Sequence, residues 1–275
     1  MVVFGLTVVR HGETRYNKEK ILQGQGVDEP LSETGFRQAN AAGVYLSNIK
    51  FTYVFTSDLL RAKQTTAIIL KKNKFCKEVA VKYDPRLRER KYGIAEGRPL
   101  SNLKAMATAA GEQCPSFTPP GGETLEEVKA RGKDFFEYLC SLVAKEAHQE
   151  KQTSPRTKEA NAEMGEGGCP TSLINHCSGL ESVSDPECVA EVLAANILVV
   201  SHGAYMRNWI NYFISDCECT LPITFKKTEL SCVSPNTGIS QFTIKLEMRE
   251  NIKPKIHCIS LNKSDHLDEM TAEKI

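Results

Sequence analysis

Two apolar runs in the sequence end in the same way, at a histidine followed by a glycine. LTVVRHGETRYN occupies residues 6–17, and ILVVSHGAY occupies residues 197–205. Runs of Val, Ile and Leu this short are typical of buried strands. The chain has only six histidines, so two of them at matching positions stand out. The repeat predicts that two strands leave the core at His11 and His202 and enter a common site.

Outward from these two runs, strands alternate with helices. Strands are predicted at 2–9, 52–57, 79–85 and 197–201, and helices at 31–48, 58–72, 125–147 and 204–214. Alternation of this kind implies right-handed crossovers and a mainly parallel sheet with helices on both faces. Two later strands, at 239–247 and 256–262, are expected at the edge of the sheet. The fold class predicted from the pattern is α/β.

The 275 residues are expected to form a single domain with two less ordered parts. Residues 148–186 are rich in Ser, Glu, Gly, Lys and Asn and have no sustained period, which predicts a flexible insertion. The end of the chain, from residue 263, is predicted to be a loose tail. Residues 84–99 are rich in Arg, Gly and Pro and are predicted to be a loop.

The composition of the chain limits the classes of molecule that it is expected to bind. A net charge of +1 argues against a nucleic-acid surface, which needs a strong positive field. No apolar run approaches the length of a membrane span, and the first residues have neither a basic leader nor a small-residue cleavage site. The ten cysteines are therefore expected to be free thiols in a reducing, cytoplasmic setting. We expect a small anionic substrate, no nucleic acid and no membrane insertion.

Ligands of parallel α/β sheets bind beyond the carboxyl ends of the strands. His11, Ser57 with Arg61, and His202 each follow the end of a predicted strand, and Arg10 adjoins His11. Guanidinium groups match the geometry of phosphate oxygens, and a neutral imidazole is a competent nucleophile. Arg61 lies in the first turn of its helix, where the dipole disfavours a cation, so a local interaction must hold it there. The pattern indicates an anion site, with phosphate as the best fit.

Two other interpretations of the histidines stay open. Each His could simply satisfy backbone groups at a strand end. A metal site is also conceivable, but the sequence has no HExxH or CxxC, and adjacent arginines would repel a dication, so no metal or cofactor is expected. The general acid that a leaving alkoxide needs is not determined by the pattern. The candidate carboxyl groups are Glu13, Asp58, Glu89 and Glu96.

Six motifs, in this order, resemble those of the histidine phosphatase (phosphoglycerate mutase-like) superfamily. They are LTVVRHGETRYN, LSETG, TSDLLRAKQT, RERKYG, PPGGET and VVSHGA. The resemblance runs from about Leu6 to Gly203 and the strands beyond. Within the superfamily, the chain is most similar to the fructose-2,6-bisphosphatases. The fold that this implies is a three-layer α/β sandwich.

The resemblance also implies roles for residues. His11 would be the nucleophile that forms a phosphohistidine, with Arg10, Arg61 and His202 around the phosphoryl group. Glu89 would be the proton donor and acceptor. The residues implied to line the phosphate and sugar pocket are Asn17, Gln23, Gly24 and Tyr92.

The implied function is hydrolysis of the 2-phosphate of fructose 2,6-bisphosphate. That reaction would lower glycolytic flux and favour the pentose phosphate pathway, with links to apoptosis and autophagy, and the resemblance also allows nuclear and mitochondrial association. A phosphoglycerate mutase or a bisphosphoglycerate phosphatase would use the same site. A mutase must exclude water from the phosphorylated enzyme, whereas a phosphatase must admit it. A non-catalytic binding protein is a further alternative.

Overall fold

The computed structural model describes residues 1–153, 193–222, 225, 232–247 and 253–268. The strands are β1 (Val2–Arg10), β2 (Tyr53–Thr56), β3 (Val81–Tyr83), β4 (Ala195–Ser201), β5 (Ile239–Glu247) and β6 (Lys253–Lys263). The helices are α1 (Arg15–Lys18), α2 (Glu33–Tyr45), α3 (Leu60–Lys72), α4 (Leu100–Ala109), α5 (Leu125–Thr153) and α6 (Gly203–Ser215). Three short 3₁₀ helices cover Pro85–Leu87, Gly93–Ala95 and Asp265–Leu267.

The six strands form one sheet in the order β3-β2-β4-β1-β5-β6. The strands from β3 to β1 are parallel. β5 and β6 are antiparallel and occupy one edge. The prediction of a mainly parallel sheet with two late strands at its edge is confirmed.

Apolar side chains are buried on both faces of the sheet, which explains why β1 and β4 are almost continuously apolar. On one face, Ile197 and Val199 pack in a cluster with residues of α5 and α6. On the other face, Leu198 and Val200 pack with residues of α2 and α3. The successive side chains of β4 thus alternate between two cores. Helices on both faces confirm the three-layer α/β sandwich.

The start of α2 follows from its sequence. The hydroxyl of Ser32 accepts a hydrogen bond from the backbone N–H of Gly35, at 3.1 Å. It satisfies one of the free donors of the first turn, as an N-cap does. Glu33 in the first turn also complements the helix dipole. The predicted helix with Ser32 as its cap is confirmed.

Two helices were not predicted. α1 is a single turn closed by a capping box, in which Thr14 and Asn17 bond each other's backbone N–H; the sequence signal for such a box is normally Glu or Gln at the third position, not Asn. α4 follows Pro99 directly and has no side-chain cap. The predicted loop at 84–99 also contains two of the short 3₁₀ helices.

The long helix α5 continues to Thr153 rather than ending near Ala147, so the start of the predicted insertion is helical. The rest of that insertion, 154–186, lies outside the described residues. The predicted loose tail is part of the described chain to residue 268, and there His266 is bonded to Thr237 at 3.0 Å. Among the helices that the structure describes, none combines the length and the apolar character needed to cross a bilayer.

Candidate active site

Strand register brings the two histidines together. Arg10 and Ser201 are partners in the pairing of β1 with β4, so the residues after them emerge side by side. The backbone N–H of His11 donates to the carbonyl of Ser201, at 2.9 Å. The imidazole rings of His11 and His202 lie 5.1 Å apart, centroid to centroid. The predicted convergence of the two strand ends is observed.

The imidazole of His11 has a defined proton position. Its Nδ1 lies 2.7 Å from the backbone carbonyl of Gly12. Since a carbonyl only accepts hydrogen bonds, Nδ1 carries the proton and Nε2 carries the lone pair. Burial and the charges of Arg61 and Arg10 hold the pKa of His11 well below its usual range, although the bond to Gly12 opposes this. His11 therefore offers a neutral, nucleophilic Nε2 at physiological pH.

The second histidine, His202, is oriented by Ser57. Its Nε2 lies 2.8 Å from the Ser57 hydroxyl oxygen, which also accepts from the backbone N–H of Leu59 at 3.3 Å. We assign the hydroxyl proton to the bond with His202 Nε2, because the described residues offer that proton no other acceptor, and this assignment places the imidazole proton on Nδ1. That Nδ1 is buried and has no hydrogen-bond partner in the described part of the chain. It is a donor without an acceptor.

Burial lowers the pKa of His202 as well, with Arg61 and His11 adding to the effect. A histidine that stays neutral when buried binds no proton in the folded state, whereas the unfolded chain binds one below a pH of about 6.5. The free energy of unfolding therefore depends on pH, because His11 and His202 are both held neutral in the folded state.

We expect the free energy of unfolding to fall as the pH is lowered from 7 to 5. The unfolded state gains protons that the buried His11 and His202 cannot take up, at a cost approaching about 1.4 kcal/mol per pH unit for each group. Urea unfolding at several pH values measures this slope. His11→Gln should show a shallower slope than the wild type, and an unchanged slope would contradict the buried neutral state.

Arg61 is held by backbone carbonyls rather than by a full ion pair. Its side chain is 1% exposed. The guanidinium donates to the carbonyls of Gly24 at 2.9 Å and Val27 at 3.1 Å, and Asp28 lies 3.8 Å away. Burial lowers the pKa of Arg61 to about 10, with Glu89 and Asp28 opposing the shift, so it remains charged. These bonds are the local interaction expected for a cation in the first turn of α3.

Arg10 reaches the same place from the end of β1. It donates to the carbonyl of Ser234 at 2.6 Å, while its Nε is buried with no partner in the described part of the chain. Gly203 packs against it: a Cβ at that position would lie 3.2 Å from Arg10 Nε and 2.6 Å from Val233 Cγ1. Gly203, which follows the end of β4, therefore leaves room for the Arg10 guanidinium.

Among the four candidate acids, Glu89 alone lines the cavity that contains His11. Its carboxylate accepts from the backbone N–H groups of Ala204 at 3.1 Å and Tyr205 at 2.9 Å. Both donors belong to the first turn of α6, which points positive partial charge at the carboxylate. Glu89 is thereby attached to the element that follows His202.

The other three acids have structural partners. Asp58 forms a two-pronged ion pair with Arg88, at 2.6 and 2.7 Å. Glu13 accepts from the Ser32 hydroxyl at 2.8 Å. Glu96 accepts from three backbone N–H groups, those of residues 25, 26 and 92, and ties two loops together. These contacts distinguish Glu89 from the other three carboxyl groups, which the residue pattern alone could not do, and they agree with the role that the resemblance implied for Glu89.

The cavity has a volume of about 250 Å³. The predicted residues that line it are Arg10, His11, Asn17, Gln23, Gly24, Arg61, Glu89 and Tyr92. His202 is fully buried behind it, with its ring against His11. Lining residues that the sequence did not indicate are Tyr16, Lys20, Ile21, Leu22, Leu100, Ala204 and Val233. Tyr16 and Ala204 lie within two of the quoted motifs, but no role was assigned to them, and the other five residues belong to none of the motifs.

A larger cavity of about 730 Å³ lies beside α5 and α6, where Lys133, Cys140 and Tyr212 are among its lining residues. None of the predicted site residues lines it. Because the chemistry is concentrated in the smaller cavity, we take that one as the candidate site. Within the described ranges, no group of three or more His, Cys, Asp or Glu residues is placed to hold a metal ion.

Comparison with known proteins agrees with this geometry. Residues 6–151 match the family model of the histidine phosphatase superfamily (branch 1). Fructose-2,6-bisphosphatase TIGAR of Bos taurus is 55% identical over 97% of this chain and 97% of that protein. The protein of the same name from Mus musculus is 55% identical over 98% of each.

A phosphoglycerate mutase from Bacillus anthracis str. Sterne has the same fold, with a TM-score of 0.66 and 21% identity over 98% of this chain and 97% of that one. The family model covers more than half of the chain, and the relatives cover nearly all of it. On this evidence the chain belongs to the histidine phosphatase superfamily.

Proposed function

We propose that the chain hydrolyses the 2-phosphate of fructose 2,6-bisphosphate through a phosphohistidine on His11. The observation that carries the proposal is the neutral His11, buried near the charges of Arg61 and Arg10, whose Nε2 makes no hydrogen bond to any residue that the structure describes. The two TIGAR relatives, named fructose-2,6-bisphosphatases, support the choice of substrate.

In the first step, Nε2 of His11 attacks phosphorus and the bond from phosphorus to the sugar oxygen breaks. Glu89, in its protonated form, gives its proton to that oxygen, so fructose 6-phosphate leaves as a neutral alcohol at C2. Arg10, Arg61 and the free Nδ1–H of His202 stabilise the charge on the transferring phosphoryl oxygens. The Nδ1 proton of His11 stays bonded to the carbonyl of Gly12, which stabilises the cationic ring as it forms.

In the second step, water attacks the phosphohistidine. The Glu89 carboxylate takes a proton from the water, and the bond between phosphorus and Nε2 breaks. Inorganic phosphate leaves, His11 is neutral again, and Glu89 is protonated for the next cycle. Each atom and proton is thereby accounted for.

The polar side chains that would bind the sugar line the same cavity as the two arginines. Asn17 lines it and is fixed by Asn236, whose amide donates to Asn17 Oδ1 at 3.3 Å and to the carbonyl of His11 at 3.1 Å. Burial and the charge of Glu89 raise the pKa of Tyr92, so its phenol remains a hydrogen-bond donor. Gln23 has a buried Oε1 that finds no partner in the described chain. We propose that these three side chains bind sugar hydroxyls.

The proposal is tested by measuring phosphate release from a panel of esters, with EDTA present. The panel contains fructose 2,6-bisphosphate, fructose 1,6-bisphosphate, 2,3-bisphosphoglycerate and 3-phosphoglycerate. We expect the highest kcat/KM for fructose 2,6-bisphosphate, with fructose 6-phosphate as the product. Isomerisation of 3-phosphoglycerate without phosphate release would indicate a mutase instead, and no turnover of any ester would indicate a binding protein.

A further inference from the structure

The active-site cavity contains a cation for which the proposed mechanism has no use. Lys20 lines the cavity together with His11 and Arg10, yet its side chain is exposed. The ammonium group of this side chain makes no hydrogen bond or ion pair with any residue in the described parts of the chain. An exposed lysine beside a buried anion site is free to meet a second anionic group.

The backbone of Lys20 has a conformation that is unfavourable for any residue with a side chain. The residue has a φ of +56°, in the left-handed region that glycine or asparagine normally occupies after a helix. Its N–H donates to the carbonyl of Asn17 at 3.2 Å, and its carbonyl accepts from the N–H of Leu100 at 2.8 Å. Glycine would remove the strain and keep both bonds, so a lysine here points to a task for the side chain.

The charged groups that line the cavity also indicate a role for the Lys20 side chain. Among its lining residues the charged groups are three cations, Arg10, Arg61 and Lys20, and one carboxylate, Glu89. The two arginines are buried or half-buried beside His11, where the transferred phosphoryl group must lie. Lys20 is the one of these cations that is exposed to solvent. A substrate with a second anionic group, remote from the reacting phosphate, would complement this arrangement.

We propose that Lys20 binds the phosphate that is not transferred and so makes the enzyme prefer esters that carry two anionic groups. The proposal rests on the phosphatase function proposed above and concerns the specificity of the same site. Lys20 takes no part in bond breaking, so it affects KM and leaves kcat nearly unchanged.

The test compares Lys20→Met with two controls. Lys18→Met removes an exposed lysine of α1 that does not line the cavity, and Lys20→Arg keeps the charge. We expect Lys20→Met to raise KM for fructose 2,6-bisphosphate by about 10- to 100-fold, the effect of losing a hydrogen bond between charged groups. Lys18→Met should match the wild type, and Lys20→Arg should recover most of the loss.

Inorganic phosphate, used as a competitive inhibitor, is the probe with a single anionic group. Its inhibition constant should be the same for the wild type and Lys20→Met, because it binds where the transferred phosphate binds. An unchanged KM, or equal losses for the bisphosphate and for inorganic phosphate, would refute the role of Lys20.

The same comparison with 2,3-bisphosphoglycerate separates the two proposals. If the wild type cleaves that ester and not fructose 2,6-bisphosphate, the proposed substrate is wrong, and Lys20→Met on 2,3-bisphosphoglycerate then tests Lys20. If the wild type cleaves no bisphosphate, both proposals are wrong.

Discussion

Replacing His11 with alanine is expected to abolish phosphate release from every ester that the wild type cleaves, with kcat lower by at least about 10⁴-fold. The reason is that no neighbouring group can replace Nε2 of His11 as the nucleophile. His202 lies beside it, but its Nε2 is occupied by Ser57, and its Nδ1 carries the proton. Steady-state phosphate release measures the loss.

The fold of His11→Ala should survive, because the backbone N–H of residue 11 still bonds the carbonyl of Ser201. His257→Ala is the matched control, since this histidine is exposed on β6 and bonded to Thr220 at 3.0 Å. It should retain wild-type activity. Substantial turnover by a folded His11→Ala protein would rule out His11 as the nucleophile.

Glu89→Gln gives the second large effect, and its size depends on the leaving group. With fructose 2,6-bisphosphate we expect kcat/KM to fall by about 10²- to 10⁴-fold, because the sugar oxygen then leaves without a proton. With p-nitrophenyl phosphate the loss of kcat/KM should be less than about tenfold, since nitrophenolate is stable without one. The comparison uses kcat/KM because this parameter reports transfer of the phosphoryl group to His11, whereas the later attack of water, in which Glu89 is the base, is the same for both esters.

Glu13→Gln is the control for Glu89→Gln. Glu13 is a carboxyl close to His11 in sequence, but it bonds Ser32 and does not line the cavity. Its variant should cleave both esters at wild-type rates. Equal losses of kcat/KM for the two esters in Glu89→Gln would mean that Glu89 holds the site together and does not give a proton to the leaving group.

The strand ends of this site could be predicted because their signals are local. The apolar runs before His11 and His202 are long enough to indicate buried strands, and parallel strands place their carboxyl ends at one edge. Arg61 could be singled out because a cation in the first turn of a helix needs an explanation. Each of these inferences needed only a few neighbouring residues.

The position of Glu89 could not be predicted in that way, because distant residues hold it. Arg131, on α5, donates to the carbonyls of Arg86, Arg88 and Glu89, at 2.7, 2.6 and 3.0 Å. The side-chain amide of Gln25 donates to the same Glu89 carbonyl at 2.8 Å. A segment rich in Arg, Gly and Pro, with no period of its own, is thus given one conformation by contacts from two other parts of the chain.

The sequence by itself determined the α/β order of the elements and the two strand ends that carry the histidines and arginines of the site. It could do so because apolar strand runs and helix caps are properties of short segments. The residue pattern left four carboxyl groups open and the resemblance implied Glu89, but only the tertiary structure showed that Glu89 and Lys20 line the cavity. Both depend on hydrogen bonds to backbone groups from distant parts of the chain: the Glu89 carbonyl accepts from the side chains of Arg131 and Gln25, and the Lys20 carbonyl accepts from the N–H of Leu100. Such bonds leave no pattern in the residues that they position.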